Sequence, residues 1–328
     1  MQDQKSSLSI FSFKKSHRCF LKQMLVFFMP VVLGYLALEY LVLQLPFNYI
    51  VKSDYFYSEK EEIEVLALGS SQLDGAINPK FFDSNTLNLA SATQHHNLDF
   101  KILKGISPRL PALKFVILEL SYSHLEHPHN SKVFWKNSIY LKYFGINTFE
   151  RNTYFKDKLL YLARPDFYSK QLVNHYFKKK DEAILNKFGF DERVSKGLFY
   201  NLNYNDSIIA TKKMEIYTLA DIKLFKHNAE YLFEMLNYAV ENELKVIICI
   251  TPLYKTYLKG RNPDILRRRD SILKLLSAKY ENVLIFNKEN DTLNYTTSDF
   301  SNQNHLNPNG AENFSKELNV FIQRKTQD

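Results

Sequence analysis

Two residues far apart in the sequence carry side chains that could perform acyl chemistry. Ser71 follows an apolar run at residues 63–68 and the dipeptide Gly69-Ser70, and His305 precedes a helical pattern near the C-terminus. A serine where a strand turns into a helix is exposed at the edge of a sheet, and the helix N-terminus offers N–H groups to an oxyanion. The alternative is structural, because Ser71-x-x-Asp74 also fits a capping box, in which the serine only accepts a backbone N–H.

Short apolar runs alternate with helical patterns along the chain and would position both residues. The runs cover residues 63–68, 87–90, 114–120, 245–251 and 282–287, and the helical patterns cover 98–106, 219–243, 263–280 and 309–324. Continuously apolar strands separated by helices are typical of a parallel sheet covered on both faces. We therefore predict an α/β fold with a three-layer, doubly wound parallel sheet. Ser71 and His305 are expected at the same edge of that sheet.

The N-terminal region reads as a membrane anchor. A basic leader, residues 1–23, precedes an apolar run at 24–45 that holds Glu39. A helix of that length spans the roughly 30 Å hydrocarbon core, and the run is longer than the roughly 7–15 apolar residues of a cleaved signal peptide. The leader holds half of the net charge of +8, which favours a cytoplasmic N-terminus. We predict a single-pass protein of a bacterial inner or plasma membrane, with an extracytoplasmic domain at 52–328.

The third and fourth runs are too far apart for a single crossover. We predict an aromatic-rich insertion at about 122–218, which either covers the site as a lid or packs as plain helices. Tyr254 follows the fourth run and is expected either to face the same cleft or to pack in the core.

The composition disfavours several other classes of protein. The two cysteines, Cys19 and Cys249, fit neither a disulfide framework nor a zinc ribbon. The predicted exported part carries modest net charge and no patterned basic helix, so nucleic acid is not expected as a partner.

Two groups of histidines remain without a predicted role. His124, His127 and His129 lie close together in a loop, and three such imidazoles are more often solvated than metal-bound. The pair His95-His96 opens a helix and is interpreted as surface. We therefore predict no metal and no cofactor.

The blocks around Ser71 and His305 resemble those of the SGNH, or GDSL-like, hydrolase superfamily. Gly69-Ser70-Ser71 after a strand matches the first block, G-D-S, and residues 302–305 before the last helix match the last block, D-x-x-H. The chain resembles in particular membrane-anchored bacterial SGNH-like envelope proteins. The likeness covers about residues 24–121 and 245–322 and leaves the insertion unmatched.

The resemblance implies a Ser-His acyl-enzyme mechanism with Ser71 as nucleophile and His305 as base. The position of the triad acid, three residues before the histidine, is Asn302. An amide orients an imidazole without stabilising its charge, and in a serine protease the comparable Asp-to-Asn change costs about 10⁴ in rate. Asp299 is the nearest carboxylate and could fold back to replace the missing acid.

The resemblance also implies an oxyanion site after the second strand. The candidates there are the backbone N–H groups of Ala90 and Ser91 and the side chains of Thr93 and Gln94. The third block, residues 119–122, lacks the usual asparagine.

Two functions follow from this resemblance. The first is a membrane-anchored ester hydrolase or O-acyltransferase that acts on esters of cell-envelope glycans. The alternative is a catalytically weakened or inactive protein of the same fold that binds or assembles envelope polysaccharide, which the altered blocks favour.

Overall fold

The computed structural model describes residues 15–130, 132, 134–180, 183–212 and 216–327. Residues 1–14, which hold most of the predicted basic leader, lie outside the described part of the chain.

Five strands form a parallel sheet among the described residues, and this confirms the predicted α/β class. Each lies within or overlaps one of the predicted apolar runs. The strands are β1 (Val65–Leu68), β2 (Thr86–Asn88), β3 (Phe115–Glu119), β4 (Lys245–Ile250) and β5 (Val283–Asn287), in the order β2-β1-β3-β4-β5. A separate antiparallel hairpin consists of β6 (Phe300–Asn302) and β7 (His305–Leu306).

The helices include all four that the sequence predicts. In chain order they are α1 (Lys15–Leu43), α2 (Asn48–Glu59), α3 (Ser71–Ala76), α4 (His96–Ile106), α5 (Lys136–Ile139), α6 (Leu160–Ala163), α7 (Pro165–Leu172), α8 (Leu198–Asn201), α9 (Asp206–Thr211), α10 (Ile222–Glu241), α11 (Lys255–Gly260), α12 (Pro263–Lys279) and α13 (Pro308–Gln327).

Both faces of the sheet are buried. Val116 and Leu118 of β3 belong to one hydrophobic cluster with residues of α4, α10 and α12, and Phe115 and Ile117 belong to another with residues of α13. Successive side chains of a strand point to opposite faces, so both clusters need apolar residues from the same strand. This explains why the strand segments are continuously apolar.

The chain divides into two compact units. The first contains the described residues up to Leu45 together with Leu159–Lys180, and the second contains residues 46–158 and 181–328. The sheet and all the candidate site residues lie in the second unit.

The first unit contains a helix that is apolar enough to cross a membrane. It runs over His17–Leu43, 27 residues, and its most apolar stretch of 18 residues has a mean hydropathy of 2.1. The helix begins before the predicted run at 24–45 and ends two residues short of it. Glu39, which would be costly in a membrane, is buried, and its carboxylate accepts the backbone N–H groups of Leu160 (3.0 Å) and Tyr161 (2.8 Å).

Candidate functional site

The turn after β1 places Ser71 at the first position of α3. Gly69 has φ of 154°, and a Cβ there would lie 2.6 Å from the Cβ of Glu119, so a larger residue does not fit. Ser70 caps the helix, because its hydroxyl accepts the N–H of Gln72 at 3.3 Å. The reading of Ser71 as the cap is therefore wrong, and its hydroxyl is available for another partner.

The β6–β7 hairpin carries His305 and is tied to the start of α13. The side chain of Asn307 donates to the carbonyl of Ser298 at 2.6 Å and accepts the N–H groups of Asn309 and Gly310, each at 3.0 Å. A Cβ on Gly310 would lie 2.2 Å from the carbonyl oxygen of Asp299, so the helix approaches the preceding turn more closely than a larger residue allows. These contacts fix the segment that presents His305.

Ser71 and His305 are in hydrogen-bond contact, with 2.8 Å between Ser71 Oγ and His305 Nε2. The opposite ring atom, Nδ1, lies 3.1 Å from the Oδ1 atom of Asn302 and 2.8 Å from that of Asn304. Amide oxygens only accept hydrogen bonds, so Nδ1 carries the ring proton and Nε2 accepts the hydrogen bond from Ser71. A general base for serine needs this tautomer.

The environment of His305 favours the neutral ring. Burial lowers its pKa below the ordinary value, and nearby Lys196 acts in the same direction, while Glu119 and Asp74 oppose the shift. The first two effects prevail, so the imidazole is uncharged at neutral pH and can accept a proton.

Asp299 does not make the contact with His305 that a replacement for the triad acid would need. Its carboxylate accepts the backbone N–H (2.8 Å) and the hydroxyl (2.9 Å) of Thr296, and it also accepts the side-chain amide of Asn313 at 3.3 Å. The first contact belongs to a capping box at residues 296–299. Asn302, at the triad-acid position, is the residue that reaches His305, so these contacts give no support to Asp299 as its partner.

The predicted oxyanion donors are engaged elsewhere in the loop after β2. The N–H of Ala90 donates to the Asn88 side chain (3.0 Å), and that of Ser91 donates to the carbonyl of Gly69 (2.9 Å). The Thr93 hydroxyl donates to the neighbouring carbonyl of Ala92 at 2.6 Å.

The amide of Gln94 is buried and donates to the carbonyl of Leu89 and to the carboxylate of Asp99. Its oxygen accepts the hydroxyl of Tyr140. None of the four candidates Ala90, Ser91, Thr93 and Gln94 lines the cleft into which Ser71 and His305 open.

Ser71 and His305 open into a cleft of about 310 Å³. Part of its wall comes from the insertion, through Phe190, Arg193 and Lys196. Asp191 accepts hydrogen bonds from Arg193 (2.6 Å) and Lys196 (3.0 Å). The insertion was predicted either to cover the site as a lid or to pack as plain helices, and none of these residues was singled out, because no spacing pattern marks them.

Tyr254 packs in the core instead of lining this cleft. It is buried, and its ring centroid lies 4.9 Å from that of Phe199 and 5.9 Å from that of Phe300. Its hydroxyl donates to Asp206. These contacts agree with the alternative prediction, that Tyr254 packs in the core.

A buried carboxylate, Glu119, lies beside the nucleophile turn. It accepts the backbone N–H (2.6 Å) and the hydroxyl (2.9 Å) of Ser70 and lies 3.4 Å from Nδ1 of His124. Burial alone would raise its pKa, but hydrogen bonds from His124 and Ser70 outweigh burial and bring the pKa to about 2. No spacing pattern in the sequence marks the contact between Ser70 and Glu119, which are 49 residues apart.

The histidines near Glu119 are less exposed than predicted. His124 and His96 are both buried, so their interpretation as solvated loop and surface residues is wrong. Nε2 of His96 lies 2.9 Å from the backbone carbonyl oxygen of Glu119. Burial also raises the pKa of the adjacent Asp99 to about 7.

Comparison with known proteins assigns no family to this chain. The sequence matches no protein-family model and no curated protein. Among solved structures, a Streptococcus pneumonia protein provisionally described as a platelet activating factor matches 83% of this chain and 91% of its own length. The identity is 10% and the TM-score is 0.37. A likeness at this level carries no functional argument.

Proposed function

We propose that the chain is a membrane-anchored, SGNH-like serine ester hydrolase or O-acyltransferase. The observation that carries the proposal is the 2.8 Å contact between Ser71 Oγ and His305 Nε2, with the ring proton held on Nδ1 by two amide oxygens. The strand order supports it, because β2-β1-β3-β4-β5 is the order of doubly wound, three-layer flavodoxin-like sheets, which bind ligands beyond the carboxyl ends of their strands.

The reaction begins with proton transfer from Ser71 to His305. As the Ser71 oxygen attacks the ester carbonyl, Nε2 takes the hydroxyl proton and then gives it to the departing alcohol, leaving an acyl-serine. Water or a sugar hydroxyl next attacks the acyl group through the same base, which gives hydrolysis or transfer. The N–H of Ser71 lies in the first turn of α3 and has no intrahelical acceptor, so it can donate to the oxyanion.

The proposed substrate is an acyl ester of a cell-envelope glycan. The support is the anchor-like helix α1 and the cleft, which has the charged side chains of Arg193, Lys196 and Asp191 on one wall. Hydroxyl-rich ligands form hydrogen bonds readily with such charged groups.

A second function is favoured by one observation. Both groups that hold the His305 ring are neutral amides, so the imidazolium formed during catalysis lacks a charge partner in direct contact. A protein of this kind could bind or assemble envelope polysaccharide with little turnover.

Turnover of an aryl acetate separates the two functions. We expect the full-length protein in detergent to hydrolyse the ester, and Ser71→Ala and His305→Ala each to reduce kcat/KM by about 10² to 10⁴. Asp54→Asn, in α2, is purified in the same way and serves as the matched control. A turnover equal in all four proteins would leave the binding function.

The membrane topology is tested separately. With the N-terminus in the cytoplasm, an alkaline phosphatase fused after residue 328 is expected to be active and a cytoplasmic reporter there to be inactive. The opposite pattern would reverse the orientation and remove the envelope substrate.

A further inference from the structure

Three buried side chains behind the nucleophile turn converge on one point. His96 opens α4, Asp99 lies one turn further along it, and His124 lies in the short helical turn His124–Glu126 after β3. Each offers one ligand atom, and the three atoms lie within 4.8 Å of one another.

Each of these residues also has one buried atom with no hydrogen-bond partner among the described residues. The atoms are Nδ1 of His96, Oδ2 of Asp99 and Nε2 of His124. The three side chains are at most 5% exposed. Buried polar atoms are nearly always satisfied, so three unpartnered atoms in one cluster indicate a common ligand.

We propose that His96, Asp99 and His124 bind a single Zn²⁺ ion through these three atoms. The inference goes beyond the proposed function and holds whether or not the chain is a hydrolase.

The contacts of the other ring nitrogen of each histidine, the one that would not bind the metal, support metal binding. A metal-bound histidine almost always donates its other ring N–H to a carboxylate or a backbone carbonyl. Here Glu119 supplies both acceptors: its carboxylate lies 3.4 Å from Nδ1 of His124, and its backbone oxygen lies 2.9 Å from Nε2 of His96. With a metal ion bound, each ring is neutral and presents its lone pair on the nitrogen that has no partner.

The charges of the cluster match a divalent cation. Asp99 and Glu119 are both fully buried, and Oδ1 of Asp99 already accepts the Gln94 amide at 2.6 Å, which leaves Oδ2. Buried carboxylates need opposite charge, and one dication balances two of them.

The donor set favours zinc over calcium and magnesium. Two imidazoles and one carboxylate suit Zn²⁺, whereas Ca²⁺ and Mg²⁺ prefer oxygen ligands.

The proposed ion is a positioning element for the turn that carries Ser71. It would join α4 to the segment after β3 and hold Glu119, whose carboxylate in turn binds Ser70. Because the cluster is buried, the ion would not contact substrate.

The test measures Zn²⁺ bound to the full-length protein in detergent. After incubation with Zn²⁺ and removal of the excess, elemental analysis should find one ion per chain in the wild type and in His129→Gln, a half-buried histidine of the same loop. His96→Ala and Asp99→Asn should retain less than about a tenth of that amount. Glu119→Gln should bind one ion with about 10- to 100-fold weaker affinity in competition with a chelator.

A measurement on the wild type alone covers the case in which the variants fail to fold. Zn²⁺ should raise the melting temperature and Mg²⁺ should not, because a ligand of the native state stabilises it. The proposal is overturned if the wild type binds no Zn²⁺ and shows no shift. It is also overturned if loss of metal follows His129→Gln but not His96→Ala, which would indicate adventitious surface binding.

Discussion

Two histidines near the nucleophile turn, His305 and His124, differ in the groups that hold their rings. His305 contacts Ser71, and two neutral amides hold its far nitrogen. His124 faces the carboxylate of Glu119, which also binds Ser70. Burial lowers the pKa of His305, whereas for His124 the neighbouring Glu119 overcomes the effect of burial and raises the pKa. Glu119, the buried carboxylate beside this turn, therefore stabilises the charged form of His124, which does not touch the nucleophile.

This difference shows that the histidine in contact with the nucleophile and the histidine in contact with a carboxylate are two different residues. A neutral imidazole accepts the serine proton readily, but the imidazolium that follows is costly without a carboxylate. In the proposed reaction, the activation barrier includes the cost of forming the imidazolium of His305 without a carboxylate beside it.

Supplying the missing charge should have the largest effect. Asn302→Asp places a carboxylate 3.1 Å from Nδ1 of His305, so we expect aryl acetate turnover to rise at least about tenfold. Asn302→Ala should lower it by removing one of the two contacts. The matched variant Asn304→Asp, at 2.8 Å, tests whether the second amide position serves as well. A fall in turnover with both carboxylates would contradict the role of the amides.

The pH dependence should show a smaller effect with a definite sign. His305 acts as a base only when it is neutral, and its lowered pKa keeps it neutral at pH 7. The acid limb of kcat/KM should therefore have its midpoint below about 6.5, the ordinary histidine value. Asn302→Asp should raise the pKa and move this limb to higher pH. A wild-type midpoint above 6.5 would contradict the assignment of the limb to His305.

Asp299→Ala should affect stability and leave the chemistry nearly unchanged. The carboxylate belongs to the capping box with Thr296, and the loss of such a cap costs about 1 kcal/mol. Denaturant unfolding measures this cost, with Asp54→Ala as a control at an exposed position of α2. A loss of turnover as large as that of Ser71→Ala would show that Asp299 acts on His305 after all.

The sequence was sufficient for the framework because its signals are local. Apolar runs between helical patterns located the five parallel strands, and the positions of Ser71 and His305 relative to them predicted a common sheet edge. The 2.8 Å contact between the two side chains agrees with that expectation.

The pairings that decide the chemistry depend on contacts between distant segments. Ser70 and Ser71 both suit a helix cap by type, and only the conformation of the turn assigns the cap to Ser70. Asp299 and Asn302 are both close to His305 along the chain, yet the capping box directs Asp299 to Thr296. Glu119 lies 49 residues from Ser70, a separation at which no spacing rule applies.

Labelling of Ser71 by a fluorophosphonate tests the central claim most directly, because such probes react with a serine that a base has activated. Mass spectrometry of the treated full-length protein should find the adduct on Ser71, with labelling lost in Ser71→Ala and strongly reduced in His305→Ala. Ser70→Ala should still be labelled, since that hydroxyl contacts Glu119 and Gln72. An unlabelled wild type, or an adduct on another serine, would contradict the account of Ser71 and His305 as a catalytic pair.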